Sequence, residues 1–244
     1  MLRNRLASLL ADRGIKISRA ATELPNLSRN TITNTASNTG KMIQLETINA
    51  LCQYLGVTPN EFFEYLPFDV DISINSDNEL IINEPDEEVF IGTIRPFYLN
   101  LYIRKKSTNQ ASGITSKTFE LSIISENPIN INADDNRNLV PSTGIGLTVM
   151  LGNPPEKANY EKQKEEFDKF WNDELTPGFQ QDIRSQIISE TSKYMVNEIQ
   201  NKLPSVDWHG FKGIVNFRFD KYFDNSSDLT AGPVVDFQGL DLPF

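Results

Sequence analysis

The spacing of apolar residues divides the chain into regions of different periodicity. Up to residue 66, apolar residues recur every three to four positions in short segments, which predicts a series of short helices. From residue 68 to 151, alternating and β-branched segments predict strands. The helical period then returns over 155–203, and a last alternating segment, FKGIVNFRFDKYF, begins at residue 211.

The first two predicted helices are bounded by familiar start and stop residues. Within residues 2–13, four leucines lie on one helical face: Leu2, Leu6, Leu9 and Leu10. Gly14 follows as the expected C-terminal stop. Ser18 is the predicted N-cap of the second helix. That helix is expected to end at Leu24, because Pro25 disfavours helical geometry in the residue before it.

The third predicted helix, over residues 28–35, is almost entirely polar. Ser28 is its predicted N-cap, and Ile32 is its one apolar residue, with Leu27 just before it. A helix with so little apolar surface contributes little to a core. It is therefore expected to be either marginally stable or exposed for a purpose.

The fourth and fifth predicted helices complete an all-α domain. The fourth helix carries one apolar stripe: Leu45, Ile48, Leu51, Cys52 and Leu55. Gly56 follows as its predicted stop. Thr58 then caps the fifth helix, with Pro59 at its first position. Five short helices over residues 1–67 constitute the predicted N-terminal domain.

Residues 68–244 are predicted to form an α+β domain, with an antiparallel sheet and two long helices. The strand segments include DVDISIN, FIGTIRPFYLNLYIRK, KTFELSIIS and GIGLTVML. The first helix carries the stripe Tyr160, Phe167, Phe170, Trp171 and Leu175, and "TPG" at 176–178 breaks it. The second carries Phe179, Ile183, Ile187, Thr191, either Tyr194 or Met195, and Ile199.

Charge is distributed unevenly between the two predicted domains. The net charge is −10, yet residues 1–68 hold seven Lys and Arg against five Asp and Glu, a net charge of +2. The remaining 176 residues therefore carry a net charge of −12. Because an acidic body repels a polyanion, nucleic-acid contact is expected only in the first 68 residues.

Composition argues against several other classes of protein. No apolar run reaches the roughly 20 residues needed to span a bilayer, and the charged N-terminus is unlike a secretory signal. A cytoplasmic protein without a membrane partner is therefore expected. One cysteine, Cys52, and one histidine, His209, argue against a disulfide and a Cys/His zinc site. No catalytic constellation or cofactor motif is evident, so neither enzyme activity, nor a cofactor, nor a metal is expected.

The N-terminal quarter resembles a known family. The segments NRLASLLADRGIKIS, LSRNTI and ETINALCQYLGVTPNEFFEYL are similar to lambda-repressor-like, Cro/CI-type helix-turn-helix domains of phage and mobile-element regulators. This resemblance implies that the third helix enters the major groove of DNA. Residues 68–244 resemble no family that we recognise.

The resemblance also implies roles for individual residues. The side chains expected to reach base edges are those of Arg29, Asn30, Thr33 and Asn34. Those expected to contact phosphates are Ser18, Arg19, Ser28, Thr31 and Lys41.

The leading hypothesis is a dimeric, sequence-specific repressor that binds a palindromic operator in double-stranded DNA. Its acidic domain would dimerise, or receive a protein antirepressor or a small-molecule effector. The alternative is an antitoxin or immunity-type interaction protein, whose acidic domain sequesters a protein partner while its helix-turn-helix autoregulates.

Overall fold

The computed structural model describes residues 1–40, 42–76, 82–83, 90–109, 113–125, 127–133, 139–141, 145–152, 157–202 and 213–222. Lys41 and His209 lie outside these residues. The chain divides into two compact units, Met1–Asp69 (unit 1) and Val70–Phe244 (unit 2). Within the described residues, no helix combines the length and apolarity required to cross a membrane.

Unit 1 contains five helices that enclose one small core. They are α1 (Leu6–Asp12), α2 (Ile17–Glu23), α3 (Arg29–Ala36), α4 (Leu45–Leu55) and α5 (Pro59–Phe62). The buried core residues come from all five: Leu6, Leu9, Leu10, Ala20, Ile32, Leu51, Cys52, Leu55 and Phe62. Gly56 ends α4 at a φ of 64°, a left-handed conformation that glycine adopts without strain.

The fifth helix begins as its sequence predicts. The Thr58 side chain accepts a hydrogen bond from the Glu61 backbone N–H, and the Glu61 carboxylate accepts one from the Thr58 N–H. This capping box, with Pro59 at the first helical position, satisfies backbone donors that the helix itself leaves unpaired.

Unit 1 also contains strands, so the prediction of an all-α domain was wrong. β1 (Leu2–Asn4) pairs antiparallel with β2 (Phe63–Tyr65), and Arg3 lies opposite Glu64. The guanidinium of Arg3 donates to the Glu64 carboxylate over 3.1 Å. This two-stranded ribbon joins the two ends of unit 1. The periodicity of a local segment cannot predict such a pairing.

Three residue assignments within these helices were also wrong. Leu2 lies in β1 and is 65% exposed, because α1 begins only at Leu6. Leu45 is the first residue of α4 and is 78% exposed, since it precedes the turn that packs on the core. Ser18 lies inside α2, and the N-cap position is held by Lys16 without a side-chain hydrogen bond.

Unit 2 contains two sheets, and the larger one is mixed rather than antiparallel. Its described strands are β3 (Asp69–Asn75), β4 (Ile82–Asn83), β5 (Phe90–Ile94), β6 (Phe97–Asn109), β7 (Gly113–Ser125), β8 (Ile129–Ala133), β9 (Leu139–Pro141), β10 (Ile145–Leu151) and β11 (Gly213–Tyr222). The five-stranded sheet has the order β11-β10-β7-β6-β3, and the four-stranded sheet β4-β5-β8-β9.

The mixed character of the larger sheet comes from its last two strands. β6 and β7 form a long antiparallel hairpin, and β7 is antiparallel to β10. β10 and β11, however, are parallel. The helices of unit 2 lie between them in the chain, and a helical crossover of this kind suits a parallel pair.

The helices of unit 2 are α6 (Lys157–Lys169), a π-helical segment (Phe170–Glu174) and α7 (Pro177–Lys202). The first predicted helix therefore continues into π geometry before the break at "TPG". Phe167, Phe170 and Trp171 are all buried, and the Trp171 carbonyl accepts a hydrogen bond from the Gln180 side chain. The wider π turn is compatible with burying both Phe170 and Trp171, which are adjacent in sequence.

The predicted apolar stripe of α7 is confirmed, and of the two alternatives at one turn Met195, not Tyr194, is the buried residue. Its buried residues are Phe179, Ile183, Ile187, Ile188, Thr191, Met195 and Ile199. Thr191 fits this stripe because its hydroxyl donates to the Ile187 carbonyl at 2.7 Å, so the hydroxyl hydrogen is paired although the side chain is buried.

Candidate nucleic-acid interface

Helix α3 begins at a side-chain cap, as the sequence predicts. The Ser28 hydroxyl accepts a hydrogen bond from the Thr31 backbone N–H at 3.0 Å, and the Ser28 and Thr31 hydroxyls lie 2.8 Å apart. One hydroxyl donates to the other, so the second hydroxyl hydrogen remains available. The start of α3 thus offers one O–H donor and unpaired backbone N–H groups, which suit an anionic oxygen.

One face of α3 holds the helix in unit 1, and the other lies in solvent. Ile32 is completely buried and Thr35 nearly so. The four residues assigned to base contacts are all exposed: Arg29, Asn30, Thr33 and Asn34. Among the residues that the structure describes, none makes a hydrogen bond or ion pair with these four side chains. Their donors and acceptors are therefore open to a ligand.

Of the residues assigned to phosphate contacts, Arg19 is already engaged within unit 1. Its Nε donates to the Glu23 carboxylate over 2.8 Å, and the Tyr54 hydroxyl donates to the same carboxylate over 2.5 Å. These hydrogen bonds, first from Tyr54 and then from Arg19, lower the pKa of Glu23. Glu23 is therefore ionised at neutral pH and holds Arg19 in place.

The other phosphate candidates fall in different surroundings. Ser18 is exposed on α2, and its hydroxyl is not a cap. Ser28 and Thr31 lie together at the start of α3, as described above. Lys41, outside the described residues, follows Gly40 in the segment between α3 and α4. The structure thus places Ser28, Thr31 and the four base-contact candidates on one helix.

A network around two asparagines fixes the far end of α3, and sequence reasoning missed it. The buried Asn4 amide donates to the Thr35 carbonyl at 2.8 Å and to the Asn38 side-chain oxygen at 2.7 Å. Asn38 in turn donates to the Asn4 carbonyl at 3.0 Å. The Asn4 side-chain oxygen accepts from the Leu6 N–H, which begins α1.

The backbone at Asn38 explains why an asparagine stands there. Its φ is +54°, in the left-handed region that Asn tolerates better than most residues. Asn38 therefore ends the turn after α3 and returns its side chain to β1. An asparagine just after a polar helix was the available sequence clue, because Asn tolerates left-handed turn positions, but many loop asparagines share this setting.

A cleft of about 390 Å³ lies beside the C-terminal half of α3, where Asn34 and Thr31 form part of its wall. The opposite wall comes from the segment before α4, including Met42 and Gln44. Met42 is 91% exposed, the largest exposure among the large apolar residues of the described chain. An exposed thioether beside a polar helix face is a second feature that the periodicity did not indicate.

The described residues contain no group of three His, Cys, Asp or Glu side chains placed to hold a metal ion. The chemistry that the α3 surface offers is instead hydrogen bonding and one cation, Arg29. Arginine and asparagine side chains present paired donors or a donor and an acceptor, which match the edges of guanine and adenine in the major groove.

Comparison with known proteins identifies this part of the chain. Residues 5–67 match the family model described as Cro/C1-type HTH DNA-binding domain. The segment is therefore a Cro/C1-type helix-turn-helix domain, and the chain contains a DNA-binding regulatory module. No curated protein and no solved structure matches the chain, and the C-terminal part stays unassigned.

Proposed function

We propose that this protein is a sequence-specific transcriptional repressor of phage type that acts in the cytoplasm as a homodimer. Helix α3 would enter the major groove of a palindromic operator. Arg29, Asn30, Thr33 and Asn34 would contact bases, while Ser18, Arg19, Ser28, Thr31 and Lys41 would contact phosphates. The acidic domain, residues 68–244, would dimerise or receive the inducing signal.

The exposed polar face of α3 is the observation that carries this proposal. Arg29 and Asn30 have no partner among the described residues, while Ile32 and the Ser28 cap hold the helix against unit 1. A helix that contributes one large apolar side chain to the core and presents four unpaired polar ones is suited to recognition rather than to stability.

The charge of the N-terminal region supports the proposed dimer. With a net charge of +2 in residues 1–68, a single domain neutralises few phosphates, so its affinity for DNA should be weak. Two copies double these contacts. They also require two half-sites about 34–36 Å apart, or multiples of that distance.

Selection of DNA by the full chain from a random duplex pool, followed by sequencing, tests the proposal. The expected product is a palindrome whose half-site centres lie about 10 base pairs apart or a multiple of that spacing. Enrichment of a single asymmetric site would contradict the dimer. Failure to enrich any sequence would contradict sequence-specific binding.

The acidity of residues 69–244 favours the second candidate, an antitoxin or immunity-type protein that sequesters a basic partner. This function predicts that a basic protein co-purifies with the full chain from its natural host at one-to-one stoichiometry. A preparation from that host without such a protein, but with operator binding intact, would favour the repressor.

A further inference from the structure

The outer half of the β6–β7 hairpin is a basic element in an acidic domain. Residues 104–118 include Arg104, Lys105, Lys106 and Lys117 but no Asp or Glu, whereas residues 69–244 carry a net charge of −12. In β7, only Leu121–Ile124 pairs with β10, so the outer half of β7 extends beyond that neighbour. We call residues 104–118 the basic ribbon.

Alternation along the strands places two lysines side by side on one face of this ribbon. Lys105 lies directly opposite Lys117, and the next pair on the same face is Ser107 opposite Thr115. Like charges directly opposite one another destabilise a sheet. The two ammonium groups therefore need negative partners to be tolerated there.

Two glutamates on the helical side provide those partners. Lys105 forms an ion pair with Glu174, the last residue of the π-helical segment, and Lys117 forms one with Glu166 of α6. All four side chains keep part of their surface in solvent. Ion pairs of this exposure contribute little, about 0–1 kcal/mol each, so an added anion can compete with them.

A cavity of about 350 Å³ lies where the ribbon meets α6 and the π-helical segment. Phe119 and Phe170, stacked with their ring centroids 4.8 Å apart, form its apolar part. Its charged lining contains three lysines, Lys169 in addition to the facing pair, against two glutamates. Its size is within the usual range for small-molecule sites.

We propose that this cavity binds a small anion with at least two negative charges, held between the ammonium groups of Lys105 and Lys117. The anion replaces the carboxylates of Glu174 and Glu166, so a single charge is insufficient. The hydroxyls of Ser107 and Thr115 continue the polar surface on the same face. π-Helical segments are frequent at functional sites, and this one ends at Glu174.

Isothermal titration of the full chain with pyrophosphate and with citrate, at constant ionic strength, tests this site. Chloride at matched ionic strength is the monovalent control. Saturable binding of either polyvalent anion and none of chloride is expected. No binding of either polyvalent anion at about 10 mM would overturn the proposal, since such an affinity is too weak for a site.

Paired variants locate the binding. The double substitution Lys105→Met and Lys117→Met should weaken anion binding by about tenfold or more, because two charge-assisted contacts are lost. The control double substitution, Arg104→Met and Lys106→Met, removes the same amount of charge from the opposite face of the ribbon. It should change the anion affinity by no more than about twofold. Equal losses of anion affinity in both double variants would mean that the general positive charge of the ribbon attracts the anion. That result would overturn the proposed site.

Removal of the competing carboxylates provides an independent readout with the opposite sign. Glu166→Gln with Glu174→Gln keeps the side-chain shapes and removes both competing carboxylates, so anion affinity should rise by about threefold or more. This variant decides the question if the lysine variants fail to fold. Unchanged or weaker binding would contradict the proposal. The anion affinities of the lysine variants and of the glutamate variant are measured without DNA, so they do not depend on DNA binding.

Discussion

Arg19 and Glu23 illustrate how a single carboxylate can restrain a side chain that we propose to contact DNA. Glu23 accepts hydrogen bonds from Tyr54 and Arg19, which lower the pKa of its carboxyl group. Its interactions therefore stabilise unit 1 at any pH above the ordinary Glu value of about 4.3, and the effect is lost as pH falls through the lowered pKa. Across the neutral range the restraint on Arg19 persists.

Glu23→Gln should therefore strengthen operator binding by about two- to fivefold, because Arg19 is released and a negative charge is removed near the DNA. Fluorescence anisotropy with a labelled operator measures this change. Asp12→Asn removes the same charge from the exposed end of α1 and should have a smaller effect. If Glu23→Gln weakens binding, Glu23 orients Arg19 rather than restraining it.

Asn4 is the residue whose role was hardest to predict. It is a polar residue near the N-terminus, but it is buried and bonded to Thr35, Asn38 and Leu6. Truncation to alanine leaves the Thr35 carbonyl and its neighbours without these donors. Buried unpaired groups of this kind are costly, so we expect the position of α3 to depend on β1.

We expect Asn4→Ala to lower the free energy of unfolding of unit 1 by about 1–3 kcal/mol. Asn49→Ala, on the exposed surface of α4, is the matched control and should change it by less than about 0.5 kcal/mol. Urea unfolding followed by far-UV circular dichroism provides the comparison. Equal effects of the two substitutions would show that the Asn4 network is not stabilising.

At the scale of elements, helix α3 depends on few apolar contacts for its position. Ile32 is its one large buried side chain, and Ser28 caps its start. Both features could be predicted from the sequence, because a single isoleucine in a polar segment and a serine before it have few other roles. The outward direction of Arg29, Asn30, Thr33 and Asn34 was implied by the resemblance to Cro/CI-type domains, and all four are exposed.

Ile32→Ala should destabilise unit 1 by about 2–5 kcal/mol and Ile32→Val by about 0.5–1.5 kcal/mol, since both leave a cavity in the core. Circular dichroism follows the helices. Both tryptophans, Trp171 and Trp208, belong to unit 2, so their fluorescence is an internal control and should not shift. A shift of both the circular dichroism and the tryptophan fluorescence transitions would contradict this account. So would an Ile32→Ala variant that loses no stability.

Other elements could not be predicted from local pattern. Leu2 and Leu45 fit a helical period, but one lies in a strand and the other precedes the buried turn of α4. Periodicity records spacing and not burial, so it cannot distinguish an exposed leucine at an element's end. Likewise, alternation in β10 and β11 predicts strands but not that they pair in parallel.

At the scale of the whole molecule, charge is the property that separates the two parts of the chain. The sequence indicated a weakly basic N-terminal region and an acidic remainder. The structure adds that the acidic remainder carries the basic ribbon, where Lys105 and Lys117 lie side by side. Total charge therefore does not describe the local surface, and anion binding need not be restricted to residues 1–68.

The central claim, that α3 reads the DNA sequence, is tested most directly by the specificity ratio of α3 variants. The measurement is the affinity of the full chain for its selected operator divided by that for a scrambled duplex, at fixed salt. Arg29→Ala and Asn30→Ala should each reduce this ratio by about 5- to 150-fold, equivalent to 1–3 kcal/mol, and Asn49→Ala should leave it unchanged. An unchanged ratio in both α3 variants would contradict the account.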